Sequence, residues 1–243
     1  MESWLAPLMV FAIMGMVALM IRTIRNRREM IRQVRMRLGF SPVDNLEQDL
    51  LERISSIAGT GKHKVRVSRL YKRDQGSSVL YDCHISSSQK SNSGAPSSVL
   101  VVRGLDLPAF RLAARFASKT MFSGIFRQLT KLALKQGGFE HVEFSHIREF
   151  ADKYTLVTTD PDRLRSEVPE DVWHGIAGVG LQLFLRGEGD VIVFSAFDWA
   201  ARRQRGGFEA IETERLKQAI DTASRLSDLF GSIRRGATTA TWR

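Results

Sequence analysis

The sequence predicts an α+β domain with a mainly antiparallel sheet and a long C-terminal helix, carried behind one N-terminal transmembrane helix. Three observations predict it: strand-like runs that arrive in hairpin pairs, an order of strands and helices without a steady βαβ rhythm, and one long amphipathic stripe near residue 220. The chain has 243 residues, 43% of them hydrophobic and 26% charged. That is enough apolar content for an ordinary core, and the roughly 200 residues after the first 40 suit one domain. The lone Cys83 excludes a disulfide framework, and six prolines exclude a collagenous or Pro-rich chain.

Trp4 to Ile21 is an uninterrupted uncharged run, WLAPLMVFAIMGMVALMI. As a helix it spans about 27 Å, close to the roughly 30 Å hydrocarbon core of a bilayer. No Lys or Arg precedes it and the exit Ala18-Leu19-Met20-Ile21-Arg22 is a poor cleavage site, so an uncleaved anchor is expected rather than a signal peptide. Pro7 falls in the first turn, where its missing amide hydrogen is harmless. Arg22, Arg25, Arg27, Arg28, Arg32, Arg35 and Arg37 follow against one acid, Glu29. Arginines on this side alone predict an inner-membrane, single-pass protein with its N-terminus outside and the rest cytoplasmic. Arg22, Arg25, Arg27 and Arg28 are the candidate contacts to anionic lipid. With no Pro or Gly between residues 16 and 38, a straight stalk is expected. Arg32, Arg35 and Arg37 then lie beyond the reach of the headgroups and are expected to be spectators.

The organisation that follows is an anchor over 1–21, a basic juxtamembrane segment over 22–41, the domain over 42–230 and a tail over 231–243. Ser41-Pro42-Val43-Asp44 resembles an N-cap with proline at the first helical position, so a helix is expected over 42–58, ended by Gly59-Thr60-Gly61. Lys64–Tyr71 and Val79–Ile85 alternate as a hairpin. Residues 86–98, with seven serines, read as a mobile loop. Val99–Arg103 is a strand, Leu105–Pro108 a bend, and Phe110–Phe116 a returning strand. Apolar residues at helical spacing predict a helix over 119–136. Strands at 139–144 and 154–158 flank a short helical piece around 147–152, and Asp160-Pro161 opens a helix to about Ile176. Leu181–Arg186 and Val191–Phe197 flank Gly187-Glu188-Gly189-Asp190, the clearest hairpin. The final stripe, Ile211 to Phe230, is the firmest helix, with Gly231 as its cap.

Four pieces carry a family resemblance: Leu107-Pro108-Ala109-Phe110-Arg111-Leu112, Val142-Glu143-Phe144, Phe150-x3-Tyr154-x-Leu156 with Asp160, and Gly189-Asp190-Val191-Ile192-Val193-Phe194. Across residues 99–197 the chain resembles a group of bacterial membrane-anchored proteins of unknown function. The resemblance implies no activity, ligand or functional residue.

No catalytic or metal signature emerges. Ala58-Gly59-Thr60-Gly61-Lys62-His63 fails as a phosphate-binding loop, because Ser56 stands at the first glycine and His63 at the hydroxyl position. His141, Glu143 and His146 have the wrong spacing to converge on a metal from strand or helix. Asp160, Asp162, Glu167, Glu170 and Asp171 read as a cap and a solvated face rather than as general acids and bases. Trp199–Phe208 mixes aromatics with arginines and reads as a solvated loop. Phe150, Tyr154 and Leu156 are expected to be core anchors. No cofactor is expected, and nucleic acid is not an expected partner. The partners are the bilayer, through residues 4–21, and a protein that the sequence does not name. The function expected is a membrane-anchored binding or adaptor domain; the rival reading is a membrane-tethered enzyme whose site is assembled from ordinary-looking residues.

Overall fold

Side chains alternate across a strand, so a strand with apolar residues at every position must be covered on both faces. The central strands here are of that kind. The computed structural model describes residues 5–58, 65–87, 95–115, 138–179, 182–197 and 208–240 and, in the first helix, side chains from Ile13 onward. Within them lie the strands β1 (Ser41–Pro42), β2 (Val65–Gln75), β3 (Ser78–Ser87), β4 (Ala95–Val102), β5 (Leu107–Ala114), β6 (Glu140–Val142), β7 (Tyr154–Thr158), β8 (Gln182–Gly189) and β9 (Val191–Phe197). They form one sheet in the order β1-β2-β3-β4-β9-β8-β5-β7-β6, antiparallel at every pairing. The helices are α1 (Leu5–Arg37), α2 (Gln48–Ala58), α3 (Arg148–Lys153), α4 (Pro161–Glu167), α5 (Glu170–Ala177) and α6 (Phe208–Ala240).

On one face Leu80, Leu100, Leu112, Ile192 and Phe194 meet Trp173 and Ile176 of α5, Leu216, Leu226 and Phe230 of α6, and Val34 at the end of α1. On the other, Cys83, Val99, Val191 and Val193 meet Leu50, Ile54 and Ile57 of α2 in a smaller core. The β8–β9 hairpin sits in the middle and joins the two halves of the sheet, β9 pairing with β4 and β8 with β5. Two glycines make this possible. Gly189 takes the left-handed φ of 60° that the tight turn needs. At Gly187 a Cβ would stand 2.3 Å from the Phe110 ring, so only glycine lets that ring pack across β8.

Phe150, Tyr154 and Leu156 are buried as expected, with Phe150 edge-on to Phe144 and tilted against Tyr154 and Trp173. Asp160 caps α4, accepting a hydrogen bond from the Arg163 amide at 3.0 Å, with Pro161 behind it. Other expectations are corrected. Ser41 and Pro42 pair with Lys72 and Tyr71 as an edge strand, so the helix starts only at Gln48. The helix expected over 161–176 is broken at Val168-Pro169, because a residue before proline is pushed out of the helical region. The strand at 110–116 does not return on β4; it pairs with β7 and β8. The Ser-rich loop is shorter than 86–98, since Ile85 and Cys83 pair with Ala95 and Ser97 and draw both flanks into the sheet. The last helix does not stop at Gly231 but runs to Ala240. The helix expected over 119–136, the turn at 59–61 and the loop at 199–207 lie outside the described residues.

α1 is one unbroken helix of 33 residues, about 50 Å long. Among the described residues no helix is long and apolar enough to cross a membrane. The run Trp4–Ile21 is described at side-chain level only in its second half, where Ile13, Met14, Met16, Val17, Leu19, Met20 and Ile21 are all exposed.

Candidate functional site: two arginine pairs on opposite faces of the sheet

α1 ends inside the domain. Ile31, Val34, Arg35 and Leu38 fall at the i, i+3, i+4 and i+7 positions of one helical face, and this face is what docks. Val34 and Phe40 join the larger core, and Arg35 goes in with them at 2% exposure. A buried guanidinium needs a partner, and β3 supplies it: Asp82 shares the face of Leu80 and is 1% exposed. Arg35 Nε donates to Asp82 Oδ2 at 2.8 Å. From α6, Arg215 donates to both carboxylate oxygens of Asp82, at 3.0 and 3.2 Å, and to Glu212 at 2.8 and 3.1 Å. Arg35 also lies 4.5 Å over the Tyr71 ring. Burial works against the charge on Arg215, but Asp82 and Glu212 outweigh it and raise its pKa. At the rim Arg37 donates to Glu209 at 3.0 Å. One carboxylate thus ties the first helix, the sheet and the last helix together. Arg35 is therefore no spectator, which corrects the sequence reading.

The other face carries a pair built the opposite way. Arg111 on β5 stands directly across from Arg186 on β8. Residues directly opposed in a ladder lie about 4.5 to 5.5 Å apart at Cα and share a face. Both side chains are half-buried, and among the described residues neither pairs with a carboxylate. Arg111 is held 4.3 Å over the Phe139 ring, and Arg186 donates to the Ala58 carbonyl at the end of α2 at 2.8 Å. Burial lowers the pKa of each, and Arg186 lowers that of Arg111 further.

The sequence-predicted residues sit elsewhere. Arg22, Arg25, Arg27 and Arg28 are exposed on α1, upstream of the docked turn. His141 lies 3.7 Å from Glu143, while His146 turns to Glu170 at 2.8 Å, so the two histidines do not converge. Asp162 meets Arg165 and Glu167 meets Arg163, local pairings that leave no concerted carboxylates. Among the described residues no group of three or more His, Cys, Asp or Glu side chains could hold a metal. A recess of about 80 Å³ opens beside Arg115, His141, Glu143 and Tyr154. Burial, above all, pushes the Cys83 thiol up to about 12, so it stays protonated and inert as part of the smaller core.

Sequence reasoning missed both arginine pairs, though each left a trace. An aspartate in phase with Leu80 on an apolar strand, and an arginine inside the Ile31–Val34–Leu38 stripe, are each a buried charge in search of a partner. The second pair shows only as arginines on the outer phase of two strands.

No protein-family model and no curated protein matches this chain. Among solved structures it is similar to the crystal structure of the mycobacterial trehalose monomycolate transport factor A, TtfA, at 10% identity over 84% of this chain and 92% of that chain, with a TM-score of 0.46. At that score the likeness carries no argument about what this chain does.

Proposed function

We propose that this chain is a single-pass inner-membrane protein that holds an α+β binding domain in the cytoplasm, as an adaptor or structural component, on a rigid helical stalk. The observation that carries the reading is the continuity of α1. One unbroken helix begins in the apolar run and ends with Arg35 buried against Asp82. Exposed apolar side chains from Ile13 to Ile21 point in every direction around that helix, which suits a surrounding of lipid and not of water. Arg22, Arg25, Arg27 and Arg28 come next and fit the headgroup level, where each contributes about 1 kcal/mol next to anionic lipid. A helix docked by a buried charge network fixes the domain at a set distance below the bilayer, a useful property for presenting a surface to a partner.

The test is a pair of reporter fusions after Arg243, together with membrane fractionation of the chain lacking residues 2–21. A cytoplasm-active reporter is expected to work and a periplasm-dependent one to fail, and the shortened chain is expected to leave the membrane fraction. The opposite reporter pattern, or unchanged fractionation of the shortened chain, overturns the reading.

A further inference from the structure

Several arginines of this protein are matched with acids even where solvent reaches them. Arg37 has Glu209, Arg53 has Asp49 and Asp190, Arg163 has Asp106 and Glu167, and Arg165 has Asp162. Arg111 and Arg186 have no such match among the described residues, and they stand opposite each other and partly out of water. Like charges directly across a ladder destabilise it, and burial adds to the cost. Glu188 lies two residues along β8 on the same face, yet no ion pair joins it to either arginine among the described residues. Both side chains are nevertheless held in place by uncharged partners, the Phe139 ring and the Ala58 carbonyl. A guanidinium has five N–H donors, so these contacts leave donors on both arginines for a ligand.

We propose that Arg111 and Arg186 form a binding site for a phosphate-type anion, a phosphate monoester or a lipid phosphate headgroup, gripped between the two guanidinium groups on the α2 side of the sheet. The match is one of charge and of shape. A phosphate monoester carries about −1.5 to −2 at pH 7 and offers three acceptor oxygens, enough for donors from two sides. Arginine forks bind such groups with paired hydrogen bonds. One carboxylate would neutralise only one of the two. This gives a ligand class to the binding domain proposed above and rests on that reading. The two fail separately: release of the chain from membranes concerns the anchor, and the response to phosphate concerns this site.

The experiment uses the full chain in nanodiscs of phosphatidylcholine, with thermal unfolding as readout. Inorganic phosphate and glycerol phosphate at about 100 times their Kd are expected to raise the Tm by several degrees. The double variant Arg111→Gln/Arg186→Gln is expected to lose that rise while melting within a few degrees of the parent in phosphate-free buffer, since it loses two contacts and gains relief from the repulsion. A second arm replaces about a fifth of the phosphatidylcholine with phosphatidic acid, with no free phosphate. A rise there that depends on Arg111 and Arg186 assigns the site to lipid, and a rise with soluble phosphate alone assigns it to a soluble ligand. The proposal is overturned by no rise in either arm, by a rise that survives in the double variant, or by a double variant that melts well below the parent without phosphate, which would make the pair a structural element. Arg148→Gln/Arg165→Gln, at two exposed arginines outside the site, serves as control and should leave the soluble-phosphate response unchanged.

Discussion

Two pairs of arginines stand on opposite faces of one sheet and differ in what lies between them. Arg35 and Arg215 reach the α6 face from helices at the two ends of the chain and close on Asp82. Arg111 and Arg186 rise from neighbouring strands on the α2 face, and among the described residues no acid pairs with them. Arg35 is deeply buried and Arg215 half-buried around one carboxylate, while both members of the second pair keep contact with solvent and are oriented by a ring and a carbonyl. Compensation, more than burial alone, separates a fixed joint from a surface left ready for a ligand: the same side chain serves one or the other according to whether the fold supplies the anion.

The sharpest way to break the comparison is to remove the anion from the first pair. Asp82→Ala strands Arg35 and Arg215 with Glu212 alone, which is 3.8 Å from Arg35. Leaving buried charge uncompensated costs about 3 to 5 kcal/mol. Urea unfolding should show that loss as a lower midpoint with an unchanged slope. A loss below about 1 kcal/mol would mean that Asp82 is not what holds the stalk.

A smaller effect separates arginines on a single helix. Arg35→Gln removes one of two cations on Asp82 and leaves Arg215 in place, so a cost of about 1 to 3 kcal/mol is expected. Arg32→Gln changes an exposed side chain three residues away and should stay within about 0.5 kcal/mol. Equal effects from the two, in the same unfolding assay, would remove the distinction between stalk and joint.

The strands of the central hairpin, the cap at Asp160 and the buried Phe150–Tyr154–Leu156 anchor were legible because each is a local signal: alternation, a turn dipeptide, an acid before proline. Strand order was not. β5 lies between β7 and β8, and nothing near Phe110 encodes its β8 partner Gly187, 77 residues downstream. Ser41-Pro42 shows the limit of local propensity, since its cap-like chemistry lost to pairing with β2. The candidate site was illegible for the same reason as strand order. Arg35 meets Asp82 across 47 residues and Arg215 across 133, so side chains that look solvated in sequence become a cluster only once the sheet and α6 are in place.

The smallest effect is also the most diagnostic, because it lies in a sign. In a double-mutant cycle, two attracting groups cost less to remove together than the sum of the single removals, since the attraction is lost only once. The Arg35→Gln/Asp82→Ala cycle should behave in that way. Two repelling groups do the reverse. Each single substitution at Arg111 or Arg186 loses its own contact, to the Phe139 ring or the Ala58 carbonyl, but also relieves the repulsion. The double variant loses both contacts and gains that relief only once, so it costs more than the sum. The expected excess is about 0.2 to 1 kcal/mol, the size of a cross-strand pair. Because solvent reaches this pair, the excess should shrink as the screening length falls from about 8 Å at 0.15 M salt to about 3 Å at 1 M, while the buried Arg35–Asp82 coupling changes little. Adding phosphate should do what salt does at far lower concentration, by placing an anion between the two guanidinium groups. If the Arg111→Gln/Arg186→Gln cycle showed attraction instead, the two guanidinium groups would already share a counter-charge, and the contrast between the faces would collapse.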